Sequence, residues 1–262
     1  MEGQKLAAMR CAAAATLAAA ALAVQLHPAG AVVAGIPAEP AIAKSLVMVL
    51  AEGGVACSGV VLSPKIVLTA GHCVPKGKAI RVYAPLPDAP AGSPHLIAPA
   101  ASLIHPAFAQ NAVGTRRRSV DLALLRLSEP LPPYFAPARL ATAAAPGAGT
   151  PVIVAGDGLA EEAKPSSSGK PRSALLTVIE PYGRSAILLW AAPASGSAGA
   201  CEGDSGGSMT AGGALIAVIA FAEGAGGTRC GKLTQGVLVG AQRSFIDAAL
   251  ARWGDTAQWA DR

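Results

Sequence analysis

A chain of 262 residues that is 52% hydrophobic, 14% charged and 4% aromatic has room for one large or two small globular domains. Its apolar share excludes the high-charge, low-hydrophobicity pattern of a disordered chain. The five cysteines include no C-x-x-C pair, so a zinc ribbon or thioredoxin-like motif finds no support. A net charge of +5 spread over the whole length, with few aromatics among the basic residues, is a poor nucleic-acid footprint.

The first 31 residues read as a targeting segment. Lys5 and Arg10 form a positive start, followed by the uncharged, Ala- and Leu-rich run Cys11 to Val24, which stops at Gln25 and Pro28. At 14 residues the run is shorter than the roughly 20 needed to cross a bilayer, which favours a cleaved signal peptide over a membrane anchor. The other reading is an Ala-rich helix of the mature protein. Small-residue cleavage sites end at Ala23 and Ala31, giving either a signal peptide of residues 1–31 or one of 1–23 with a propeptide of 24–31. Either cut removes Cys11 and leaves four cysteines, an even set that reads as two disulfides in an exported chain. No second apolar run reaches membrane length, since Ala214 to Ala222 covers nine residues. The expected product is secreted or periplasmic, free of the membrane once the signal is gone.

Beyond residue 31 the chain is a series of short β-type runs bounded by Gly and Pro: Ser45 to Leu50, Gly59 to Leu62, Lys65 to Thr69, Leu122 to Leu127, Pro151 to Val154, Ala174 to Ile179, Ser185 to Trp190, Leu215 to Phe221 and Gly236 to Val239. Short strands with turn residues between them predict an all-β barrel or sandwich. Residues 128–150, rich in Pro and Ala, read as a connection between two halves, and residues 163–173 as an exposed loop. Residues 244–253, apolar at Phe245, Ile246, Ala249, Leu250 and Trp253, predict one terminal amphipathic helix.

The chemistry concentrates around Gly203-Asp204-Ser205-Gly206-Gly207, where a serine stands among glycines whose backbone N–H groups are free to approach a developing oxyanion. The same residues match G-x-S-x-G, the nucleophile elbow of α/β-hydrolases. Chain order separates the two. All four histidines, His27, His72, His95 and His105, precede Ser205, whereas an α/β-hydrolase needs its histidine after the serine. A subtilisin-like order needs an aspartate before the histidine, and the first aspartate, Asp88, follows His72. The order left is histidine, aspartate, serine, supplied by His72, Asp121 and Ser205. His95 and His105 lack comparable context and read as loop or structural residues.

These residues resemble the trypsin/chymotrypsin-like serine proteases. Cys57-Ser58-Gly59 through Leu68-Thr69-Ala70-Gly71-His72-Cys73 is similar to that family's histidine motif, His105-Pro106 followed by Asp121 to Leu127 to its aspartate motif, and Gly203 to Gly207 to its serine motif. Gly156-Asp157-Gly158 stands where the family has Gly-Trp-Gly. The resemblance covers residues 32–262 and implies two packed antiparallel six-stranded β-barrels, at about 32–135 and 146–243, with a short C-terminal helix at 244–253. It implies a serine endopeptidase working through an acyl-enzyme without cofactor or metal, on a protein or peptide substrate, as a monomer open to a protein inhibitor.

By the same resemblance His72 is the general base, Asp121 its orienting partner, Ser205 the nucleophile, and the N–H groups of Gly203 and Ser205 the oxyanion hole. It pairs Cys57 with Cys73 and Cys201 with Cys230; the family's further disulfides are absent, as in many bacterial members, and a bacterial secreted member is expected. Val32-Val33-Ala34-Gly35 is similar to the family's new N-terminus, so a cut after Ala31 is expected to free the Val32 amine for Asp204. The pocket positions fall on Gly199, Ala222 and Gly236; with no acidic residue at Gly199, cleavage after an apolar rather than a basic residue is expected. Ala220 replaces a serine that usually bonds the catalytic aspartate. Arg116, Arg117 and Arg118 read as a solvated loop face. The competing functions are a catalytically silent homologue that binds with the same double barrel, and an esterase using the same residues.

Overall fold

A computed structural model describes residues 32–84, 86, 95–112, 118–142 and 144–260. The expected signal segment and Arg116 and Arg117 lie outside the described residues. After the short strand β1 (Ile36–Pro37) and the one-turn helix α1 (Pro40–Ala43), the chain forms β2 (Leu46–Ala51), β3 (Val55–Ser63), β4 (Ile66–Thr69), β5 (Ile80–Tyr83), β6 (Leu96–Ile97), β7 (Pro99–Ile104) and β8 (Ala123–Leu127). These seven strands make one antiparallel sheet in the order β6-β5-β2-β3-β4-β8-β7. Only Ala98 separates β6 from β7, so they act as one bent strand that pairs β5 with its first half and β8 with its second, closing the sheet into a barrel.

The second half contains β9 (Leu140–Ala141), β10 (Pro151–Gly156), β11 (Arg172–Ile179), β12 (Leu188–Ala192), β13 (Ser208–Ala211), β14 (Ala214–Gly224) and β15 (Gly231–Leu238), then helix α2 (Arg243–Arg252) and β16 (Trp259–Ala260). The long strands run β13-β10-β11-β12-β15-β14, and β13 also pairs β14, which closes this barrel too. The sheet counts nine strands because β1, β9 and β16 add two-residue ladders to it. The fold is therefore all-β and chymotrypsin-like, two barrels with one short C-terminal helix.

Three details depart from the sequence reading. β9 pairs in parallel with both β14 and β16, inside sheets expected to be antiparallel. β1 joins β11 of the second barrel although it precedes the first. Residues 172–173, expected in a loop, already belong to β11.

The barrels pack because their strands are apolar on both faces. Along β4, Ile66 and Leu68 point into a cluster shared by both barrels, while Val67 points into the first barrel's own interior. Along β8 the same alternation puts Leu124 in the shared cluster and Leu125 inside the barrel. From the other side the shared cluster receives Leu215, Val218 and Val237, capped by Ile246, Ala249 and Leu250 of α2. A continuous run such as Ile66-Val67-Leu68 is what a strand buried on both faces requires.

Candidate active site

His72 lies on the short turn Gly71–Cys73 that follows β4, and Asp121 stands just ahead of β8. Because β4 and β8 are paired through Thr69 and Ala123, the ladder brings the two side chains together at one end of the first barrel. The ring N–H at His72 Nδ1 donates to Asp121 Oδ2 at 2.6 Å, and the His72 backbone N–H donates to Oδ1 at 2.9 Å. Both carboxylate oxygens thus serve one histidine, and with Nδ1 protonated, Nε2 is the free basic nitrogen. Gly71 keeps the space beside them open: a Cβ there would stand 3.1 Å from both Asp121 Oδ1 and the Phe108 ring, a tight contact that would press on the carboxylate. The Cys57–Cys73 disulfide, with Cα atoms 6.1 Å apart, ties this turn to β3.

Ser205 belongs to the second barrel, in the turn-rich loop before β13. Its neighbours are fixed by hydrogen bonds from Asp204 N to Cys201 O (3.1 Å) and from Gly207 N to Asp204 O (2.9 Å). Gly203 adopts φ 92°, and its missing Cβ would meet Gly158 Cα at 2.7 Å, so close backbone approach demands glycine. Among the described residues, the N–H groups of Gly203 and Ser205 donate to no protein acceptor. Ser58, next to Cys57 on β3, crosses the seam: its N–H donates to Ser205 O at 2.7 Å and its hydroxyl to Gly203 O at 2.8 Å. Cys73 Sγ touches Ser205 O at 3.7 Å, a contact without a proton because the sulfur is bridged. The serine loop is thereby held against the histidine turn. Among the described residues no hydrogen bond joins the Ser205 hydroxyl to His72, and such bonds commonly tighten only with substrate bound.

Asp204 is fully buried. Its Oδ1 accepts from Gly158 N at 2.9 Å, its Oδ2 from Cys201 N at 2.8 Å, and it also receives the backbone N–H of Val32. Burial pushes its carboxyl up to about 7 against the pull of those three donors. Val32 is itself fully buried, in the core of the second barrel, and Val33 bridges Gly199.

Beside His72 and Asp121 opens a cavity of about 990 Å³, also lined by Phe108, Arg118, Ala220 and Phe221. Of the expected pocket residues, Gly199 has Thr234 Oγ1 3.0 Å from where its Cβ would stand. Ala222 is half-buried on β14, opposite Thr234. Gly236 faces inward, its absent side chain directed at Met209 Sδ 2.5 Å away. The Cys201–Cys230 disulfide closes the other side of the serine loop.

With this geometry established, the family model described as Trypsin matches residues 32–241. The chain belongs to the trypsin family. Among the relatives, Kallikrein-15 of Homo sapiens is 29% identical over 187 residues, 64% of this chain and 71% of that protein. Kallikrein-15 of Saguinus oedipus is 28% identical over the same shares, and Serine protease SP24D of Anopheles gambiae is 29% identical over 181 residues, 67% of this chain and 65% of that protein. All three come from animals, so they lend nothing to the bacterial expectation.

Against the trypsin-family pattern, the structure adds residues that the sequence did not single out as part of the site. Asp157 is fully buried, and among the described residues neither of its carboxylate oxygens has a hydrogen-bond partner. Ser58 makes the cross-seam bonds, and Glu162 binds the backbone at Cys230. Their signal was faint: an aspartate in place of tryptophan at 157, and nothing in the local pattern for the other two. His105 packs edge-on against Phe245, and its partial burial lowers its pKa; His95 lies 3.9 Å from Glu129 at the surface. Among the described residues no helix is long and apolar enough to cross a membrane.

Proposed function

We propose that this trypsin-family chain is a secreted serine endopeptidase in which Ser205 attacks the peptide carbonyl. The observation that carries the proposal is the His72–Asp121 pair, with both aspartate oxygens committed to His72, standing across the seam from a glycine-flanked serine. His72 Nε2 takes the Ser205 hydroxyl proton as the Oγ–C bond forms, and Asp121 stabilises the resulting imidazolium. The oxyanion is met by the N–H groups of Gly203 and Ser205, a contribution of about 3 kcal/mol per donor in comparable sites. His72 then returns the proton to the leaving amine, and water repeats the cycle on the acyl-enzyme. The cavity beside His72 is mostly apolar, which favours apolar side chains on the acyl side of the cleaved bond.

A fluorophosphonate probe tests the chemistry. Mature protein is expected to be labelled once per chain, with labelling and peptidase activity both abolished in Ser205→Ala; an unlabelled mature protein would overturn the reading.

Maturation follows from Val32. This β-branched residue sits at φ 61°, a left-handed conformation that costs energy in a continuous chain. A cut after Ala31 removes that torsion and turns the uncharged amide N–H facing Asp204 into an ammonium, adding a buried ion pair to the hydrogen bond. N-terminal sequencing of active enzyme is therefore expected to begin at Val32, and active material with any other start would overturn this step.

A further inference from the structure

The hairpin tip joining β14 to β15 is poorly held by the sheet. The ladder ends irregularly at Gly224 and Gly231, and Gly226 and Gly227 both take positive φ, at 62° and 92°. Within the tip, a small turn bonds Thr228 N to Ala225 O at 3.2 Å and Ala225 N to Thr228 Oγ1 at 3.0 Å. The next two N–H groups, of Arg229 and Cys230, find no strand partner. Both point at one side chain from another part of the chain. Glu162 Oε1 accepts from Arg229 N at 2.9 Å and from Cys230 N at 2.8 Å, and Oε2 accepts from Arg229 N at 3.0 Å.

What this tip carries makes the contact matter. Cys230 is bonded to Cys201, which begins the loop leading to Ser205. The Arg229 guanidinium pairs with Glu202, and Glu202 O accepts from Leu159 N at 2.7 Å. Three segments, 159–162, 201–205 and 224–231, are thus laced together behind the serine, and Gly199 faces the last of them, with Gly231 Cα 3.7 Å from its would-be Cβ.

We propose that Glu162 is a positioning residue for specificity, fixing the Arg229–Cys230 segment beside Gly199, the position where the resemblance expects the residue before the cleaved bond to be received. The proposal rests on the peptidase reading above. A carboxylate suits the task because it only accepts, and two converging N–H groups need acceptors alone. Glutamine keeps one oxygen but turns an NH₂ group toward Arg229 N, opposing donor to donor. Alanine leaves both amides without their partner and lets the glycine-rich tip wander. Neither change touches His72, Asp121 or the Ser205 turn.

The test compares wild-type enzyme with Glu162→Gln and Glu162→Ala on peptide amides that differ only in the residue before the cleaved bond, alongside the rate of fluorophosphonate labelling and amide hydrogen exchange. Selectivity between the best and poorest substrates, read as a ratio of kcat/KM, should fall about threefold in the glutamine variant and about tenfold in the alanine variant, chiefly through KM. Labelling should stay within twofold of wild type. Exchange at Arg229 and Cys230 should quicken in the same order while the β14 and β15 amides keep their protection. The exchange measurement reads the anchor even in a variant too unstable for kinetics. Unchanged selectivity in both variants, labelling that falls in parallel with KM effects, or unprotected Arg229 and Cys230 amides in the wild type would each overturn the proposal. Wild-type enzyme that neither labels nor cleaves would overturn the peptidase reading beneath it.

Discussion

Asp157 and Asp204 put two carboxyl groups into an interior with no solvent contact, flanked by Gly156 and Gly158, whose backbones crowd against Asp204. Burial raises both to about 7, and for Asp157 the negative Asp204 adds to the effect. The hydrogen bonds decide which one holds the proton. Asp204 accepts from Gly158, Cys201 and Val32, whereas Asp157 has no donor on either oxygen, so Asp157 is the neutral member. By strand register Arg172 stands opposite Gly156, and its guanidinium donates to Gly35 O on the terminal segment rather than to Asp157. A carboxyl whose folded pKa lies above its unfolded value favours the folded state below the unfolded pKa and loses that contribution as pH climbs to the folded one. Here the loss falls between pH 4 and 7. Asp157→Asn keeps the shape and removes the titration. Its melting temperature should lie close to wild type at pH 4 and about 10 °C above it at pH 7.5, corresponding to roughly 4 kcal/mol. Parallel melting curves for the two proteins across that range would overturn the assignment of the proton to Asp157.

At the level of elements, what the sequence disclosed depended on how local the determining interaction is. β4 and β8 were legible because strands buried on both faces write themselves as apolar runs, and α2 because Ile246, Ala249 and Leu250 recur at helical spacing. β7, with Pro99, Ala100 and Ala101 at its start, and β13, Ser208-Met209-Thr210-Ala211, carry little strand propensity and exist because neighbouring strands demand partners. The same holds for β9 and β16, which are two-residue ladders with no pattern of their own: Leu140 and Trp259 meet only because α2 turns the chain back along the inter-barrel connection. The candidate site divides the same way. His72, Asp121 and Ser205 each sit in a short local context that could be read directly. Asp157, Ser58 and Glu162 act on partners far away in the chain, at separations such as 145 residues for Ser58 and Gly203, and no local pattern encodes such a meeting.

Across the whole molecule, His72 and Asp121 belong to one barrel and Ser205 to the other, so the distance between the proposed base and the proposed nucleophile is set by how the barrels seat on each other. Leu124 and Leu125 are adjacent, fully buried and of equal size, yet Leu124 faces the shared cluster while Leu125 faces the first barrel's interior. Replacing either with alanine leaves a comparable cavity and should cost about 3 kcal/mol, lowering the melting temperature by about 10 °C. Their effects on catalysis should part. Leu124→Ala loosens the seam beneath the paired strands β4 and β8 that carry His72 and Asp121, and a small misplacement of base against nucleophile lowers turnover steeply. Leu125→Ala softens one barrel without shifting it against the other. Measured well below both melting temperatures, kcat should fall about tenfold in Leu124→Ala and less than twofold in Leu125→Ala, with KM little changed in either. Equal losses of kcat at equal losses of stability would show that global softening, rather than the seating of the barrels, governs the alignment.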